Sequence, residues 1–176
     1  VIEEGPYRID SFHFQSFLLP GHSYFQTGIL LDNVFYAGDA YFSEEQLHKH
    51  KIPYITDADL TIKSLQKAKS IEAQGAIPGH GTFEENFQRT IDANIQYHEM
   101  LLQEIKNYIA EEGIISHEDI VSYFCAKYKV YVRELSQFLL FRTAVTAYLT
   151  GLIKRKEISY QIKNYRWMFE KVNEAS

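Results

Sequence analysis

A single cysteine, Cys125, stands in 176 residues. That excludes an internal disulfide framework and points to a reducing, cytoplasmic setting. No apolar run is long enough to read as a membrane span, and no signal peptide is visible. Internal repeats and low-complexity linkers are absent as well. Positive charge is in the minority: 18 Lys and Arg against 23 Asp and Glu leave a net charge of −5. This argues against strong non-specific nucleic-acid binding by the whole chain. The chain has no starting methionine and no polar leader, so Val1 reads as a start in mid-domain.

What is present is enough for a real core. The length allows one ordinary domain or two small ones, and 45% of residues are hydrophobic. Thirteen Tyr and twelve Phe predict packing that is largely aromatic.

Tyr7–Ile9 and Phe12–Leu19 read as strands around a turn at Asp10-Ser11, the second with the alternation of a half-buried strand. Thr27–Leu31 and Val34–Ala37 flank Asp32-Asn33, a good two-residue hairpin turn because both residues tolerate positive φ. Ser43–Ile55 reads as polar and irregular. A helix is predicted from Ala58 to Gln74, capped at Thr56/Asp57 and stopped by Gly75, followed by a short buried strand at Ala76–Pro78. Beyond Glu84 the pattern becomes helical, with Phe87, Ile91, Ile95, Leu102, Ile105 and Ile109 on one stripe. Ser116 and Asp119 form a capping box for a second helix through Phe124. A third helix is expected from Val132 to Leu149, ending before Gly151. Glu157–Ile162 and Tyr165–Val172 then read as a hairpin around Lys163-Asn164.

Three polar residues punctuate the first half. His22 follows Leu19-Pro20-Gly21, Asp39 follows Tyr36-Ala37-Gly38, and His80 follows Ile77-Pro78-Gly79. Each stands at the end of an apolar run and a glycine, where a strand would deliver it. Two imidazoles and a carboxylate are a donor set suited to zinc or a similar divalent metal.

Pro20-Gly21-His22-Ser23, Gly38-Asp39-Ala40 and Pro78-Gly79-His80-Gly81, in this order and spacing, resemble the last three metal motifs of the metallo-β-lactamase-fold hydrolases. The resemblance implies an α+β chain: the C-terminal half of a metallo-β-lactamase αβ/βα sandwich in residues 1–84. Residues 85–176 would then form a long helix and a winged-helix-like domain. It implies that His22 ligates one metal, His80 a second, and Asp39 bridges both. It also implies two metals per complete site, which lower the pKa of a shared water toward about 7 for attack on the substrate. The family's first ligands come from an upstream His-x-His-x-Asp-His motif, which this sequence lacks. The chain is therefore expected to be part of a longer hydrolase and inactive without the rest. Tyr24-Phe25 stand where many members have Pro-Gly, a bulkier loop beside the first histidine.

Other candidates read more plainly. His48-Lys49-His50 has His-x-His spacing but no following Asp-His, and fits a solvated loop. His98 reads as a packing histidine, His13 as an outward strand residue, His117 as a first-turn helix residue and Cys125 as packing. Lys154, Arg155, Lys156 and Arg166 form a modest basic cluster, the candidate contacts if nucleic acid were the substrate. The middle of the third helix is too apolar to read a groove.

The first expectation is a hydrolase of esters, thioesters or lactones with a small-molecule substrate. The alternatives are a metallo-endonuclease acting on RNA or DNA, and a non-catalytic half of a split or swapped assembly. Half a sandwich also leaves an apolar sheet face and a strand edge uncovered. The chain is thus expected to hold its missing half, to form a homo-oligomer through that face, or to be partly disordered before Pro20.

Overall fold

The computed structural model describes residues 3–172. They form two compact units: residues up to His50 with Asp59–His98, and Lys51–Ala58 with the residues from Glu99 on.

In the first unit, β1 (Gly5–Ile9), β2 (Phe12–Leu18), β3 (Thr27–Leu31), β4 (Val34–Gly38) and β5 (Gly75–Pro78) form one sheet in that spatial order. The first four run antiparallel to their neighbours, and β5 is parallel to β4. The β3–β4 hairpin turns as its sequence demands, with φ of 49° at Asp32 and 61° at Asn33. One face of the sheet is the core: Leu19, Phe35 and Ala37 pack with Leu65, Ala68, Phe87 and Ile91 of two helices. These are α2 (Ala58–Lys69) and the first part of α3 (Phe87–Glu112). Register puts Phe14 opposite Leu31 and Ile29 opposite Tyr36, and these residues line the other face. That face is largely apolar and partly exposed: Phe12 is 59% and Tyr36 44% exposed, while Phe14, Ile29 and Leu31 are half-buried.

Two local expectations fail here. Ser43–Ile55 is not irregular throughout, since α1 (Glu44–His50) forms within it. Ser43 receives the Gln46 N–H on its hydroxyl and the Leu47 N–H on its carbonyl. Glu44 and Glu45 stand at the positive end of the helix dipole. Helix α2 stops at Lys69 rather than Gln74. The Ser70 and Ile71 amides turn back to Lys67 and Ala68, and the Gln74 amide already bonds to the Asn33 carbonyl. Gly75 is therefore a strand residue opposite Val34.

The second unit continues α3, then runs through β6 (Ile115–Ser116), α4 (His117–Lys127), α5 (Leu135–Lys154), β7 (Ile158–Lys163) and β8 (Arg166–Lys171). Its antiparallel sheet has the order β6-β8-β7. The expected capping at Ser116 is present, its hydroxyl accepting the Asp119 N–H at 3.2 Å. Aromatic packing is pervasive: Tyr108 stacks on Tyr123 at 3.7 Å and meets Phe124 edge-on. Helix α5 begins and ends later than expected and passes straight through Gly151. A glycine costs about 1 kcal/mol in a helix. Here it is buried beside fully buried Leu149 and Leu152, whose packing outweighs that cost. The hairpin turn is Asn164-Tyr165, one residue later than read, with φ of 51° and 60°.

His98 is 1% exposed on α3, and burial pushes its imidazole down to about 4. Because the folded-state pKa lies below the ordinary value near 6.5, the unfolded chain binds the extra proton first. Stability should therefore fall as pH drops from about 6.5 toward 4, by up to a few kcal/mol. Denaturant unfolding of the wild type and His98→Phe across that range checks this. The variant should show the shallower decline.

Candidate metal centre

The three sequence-predicted donors come together at one end of the first sheet. β2 and the turn after it deliver His22, β4 delivers Asp39, and β5 delivers His80. Asp39 sits between the other two. Its Oδ2 lies 3.6 Å from His22 Nε2, and its Oδ1 lies 3.5 Å from His80 Nε2. One carboxylate thus shows a different oxygen to each imidazole.

Backbone geometry produces this arrangement. A bulge shifts the β4–β5 register between Tyr36 and Gly38, and Gly38 adopts φ of 55°, which glycine takes without strain. The Gly79 N–H then bonds to the Gly38 carbonyl at 2.7 Å. A side chain on Gly79 would meet Asp39 Oδ1 at 2.5 Å. Only glycine leaves the carboxylate its place beside His80. On the other side, the Ser64 hydroxyl donates to the Pro20 carbonyl at 2.6 Å, tying the His22 turn to α2.

The donor set can be tested against a metal by its spacing. A tetrahedral ion with bonds near 2.1 Å holds neighbouring donors about 3.4 Å apart. The two nitrogen–oxygen separations match such an edge and are too long for good hydrogen bonds. Each side offers one imidazole and one carboxylate oxygen, two donors for each ion. Among the described residues, no group of three or more His, Cys, Asp or Glu is placed to hold one metal. The residues present therefore form an incomplete donor set, two short of the four donors of a tetrahedral ion on either side of Asp39.

The segment after Asp39 is fixed by a residue the sequence reading passed over. Asn94, fully buried on α3, accepts the Phe42 N–H at 2.9 Å and donates to the Phe42 carbonyl at 2.7 Å. Its signal was available, since it is a polar side chain on the stripe of Phe87, Ile91 and Ile95. Phe42 in turn meets the His22 ring edge-on at 6.2 Å and the His50 ring at 5.9 Å.

The remaining candidates carry other partners, and His50 stands near the site through Phe42. His48 and His50 belong to the last turn of α1 rather than to a loop. Two residues apart on a helix, they diverge by about 200° and cannot converge on one ion as strand neighbours would. His117 is 3% exposed, with its Nε2 2.7 Å from the Thr146 hydroxyl and its ring parallel to Trp167. Cys125 is partly buried, and burial raises its thiol. Of the basic cluster, Lys154 pairs with Asp57, Arg155 with Glu99 and Arg166 with Asp119.

No protein-family profile matches the sequence, and no curated protein does. Solved structures do match. A metallo-beta-lactamase family protein from Thermus thermophilus superposes with a TM-score of 0.77 at 13% identity, over 97% of this chain and 54% of the other. A beta-lactamase domain protein from Burkholderia ambifaria gives 0.77 at 16% identity, over 97% and 52%. The fold is that of the metallo-β-lactamases. The chain spans about half the length of these two metallo-β-lactamase-fold proteins. Within that fold, the turn at Asp39 stands between His22 and His80. Among the described residues, no helix is long and apolar enough to cross a membrane.

Replacing Asn94 by Ala leaves the Phe42 N–H and carbonyl without their partner. We expect a loss of about 2–4 kcal/mol in unfolding free energy, measured by denaturant titration at neutral pH.

Proposed function

We propose that this chain supplies the second-half donors of a two-metal hydrolase. Its substrates would be small-molecule esters, thioesters or lactones. The observation that carries the reading is the carboxylate of Asp39, each of whose oxygens faces a different imidazole. A pair of divalent ions, zinc or similar, supplies Lewis-acid activation of water and of the scissile carbonyl when bound. Asp39 would hold the ions as the anion that offsets their repulsion, and His22 and His80 would each contribute one imidazole donor.

Two donors for each ion fall short of the three protein ligands that catalytic zinc sites keep. The chain by itself is accordingly read as inactive. The partly exposed apolar face of the first sheet supports the same conclusion, because the half of the fold that carries the other donors would lie against it. The order helix, short strand, helix, helix, hairpin in the second unit supports a winged-helix-like reading. The carboxylate partners of Lys154, Arg155 and Arg166, with the net charge of −5, favour a small-molecule substrate over RNA or DNA.

The test compares two preparations at saturating zinc or manganese: the chain alone, and the chain isolated from its native source with whatever accompanies it. The native preparation should hydrolyse an acyl thioester or lactone, and Asp39→Asn should abolish this. The chain alone should show no turnover above that variant. Asp39-dependent turnover by the chain alone would overturn its incompleteness. Cleavage of a phosphodiester in place of the acyl substrates would overturn the substrate class.

A further inference from the structure

His117 opens α4 and carries one nitrogen that the fold leaves unserved. Its side chain is 3% exposed, and Nε2 lies 2.7 Å from the Thr146 hydroxyl on α5. Thr146 spends its single hydroxyl proton on the Arg142 carbonyl, 2.7 Å away. It must therefore accept from the ring, which assigns the imidazole proton to Nε2. Nδ1 is then a bare acceptor, buried and without a hydrogen-bond partner among the described residues. It faces another acceptor, Glu118 Oε1, at 3.5 Å. Only a proton arriving on Nδ1 turns that contact into a bond.

The charged groups around the ring are few. Glu118 stands beside it on α4, and the same Oε1 accepts from the Arg142 guanidinium of α5 at 3.4 Å. β8 presents Trp167, parallel to the imidazole at 5.6 Å, and Phe169, tilted at 6.4 Å. Arg166 of β8 and Asp119 of α4 pair with each other at 3.6 Å. Burial is the largest influence on His117 and holds its imidazole below the ordinary value; Glu118 works against this and Arg142 with it. The ring is thus neutral at neutral pH and charges in acid. Once charged, it competes with Arg142 for one carboxylate oxygen.

We propose that His117 is an acid-sensitive switch: a proton taken from solvent by Nδ1 draws Glu118 to the imidazolium and away from Arg142. Arg142 then stands as a free cation on the exposed first half of α5, one turn from Leu139, which is 46% exposed. The switch lies wholly in the second unit, and the proposal does not depend on the hydrolase reading.

Nuclear magnetic resonance of the histidine ring nitrogens and the emission of Trp167, followed on the full chain between about pH 7.5 and 5, test it. At neutral pH the His117 proton should reside on Nε2. On acidification Nδ1 should take up a proton with a midpoint below about 6.5, while the helical circular dichroism holds. Trp167 is the one tryptophan of the chain, and an imidazolium stacked on an indole quenches it, so emission should fall with the same midpoint. Glu118→Gln removes the anion and should lower that midpoint, and Arg142→Gln removes the cation and should raise it, each by on the order of half a pH unit. His117→Gln should abolish the emission step, and His98→Phe should leave it in place. The wild-type ring spectra fix the tautomer and the midpoint even where a variant fails to fold. A neutral ring protonated on Nδ1, an emission step that survives His117→Gln or coincides with loss of helix, or a midpoint that the two charge changes leave unmoved or move the same way would each overturn the proposal.

Discussion

The candidate metal centre depends on one carboxylate held between two imidazoles. Asp39 cannot sit there on an ordinary strand end. The bulge in β4, the positive φ of Gly38 and the missing side chain of Gly79 together turn it outward and leave room for it. The Gly79–Gly38 hydrogen bond locks β4 and β5 into the register that sets His80 beside one oxygen. Asn94 then pins the chain just beyond, so that the turn is clamped on both sides.

Much of this was legible in the sequence, because the relevant signals are local. Gly-Asp and Gly-His after apolar runs name both the strand and the donor at its end. The Asp32-Asn33 turn fixes a hairpin register, and with it the face on which every β3 and β4 side chain lies. What was not legible depends on competition between local preference and packing. Gly151 carries a stop signal that buried neighbours on either side override. Gly75 looks like a helix terminator but is drawn into β5 by its pairing with Val34. The short helix α1 was missed although Ser43 and Gln46 have capping-box spacing, because only Leu47 among its residues is buried and the apolar stripe is too weak to see. Asn94 was missed because a buried polar side chain acquires meaning only when its partner, the Phe42 backbone, is known.

The central claim is that His22, Asp39 and His80 act together as half of a two-metal centre. Nuclear magnetic resonance of the histidine rings during a zinc titration of the chain tests it most directly. The account predicts that the His22 and His80 signals shift together at millimolar zinc while His48 stays put, and that Asp39→Ala removes both shifts. Shifts that persist without Asp39, or that appear first at His48 and His50, would contradict it.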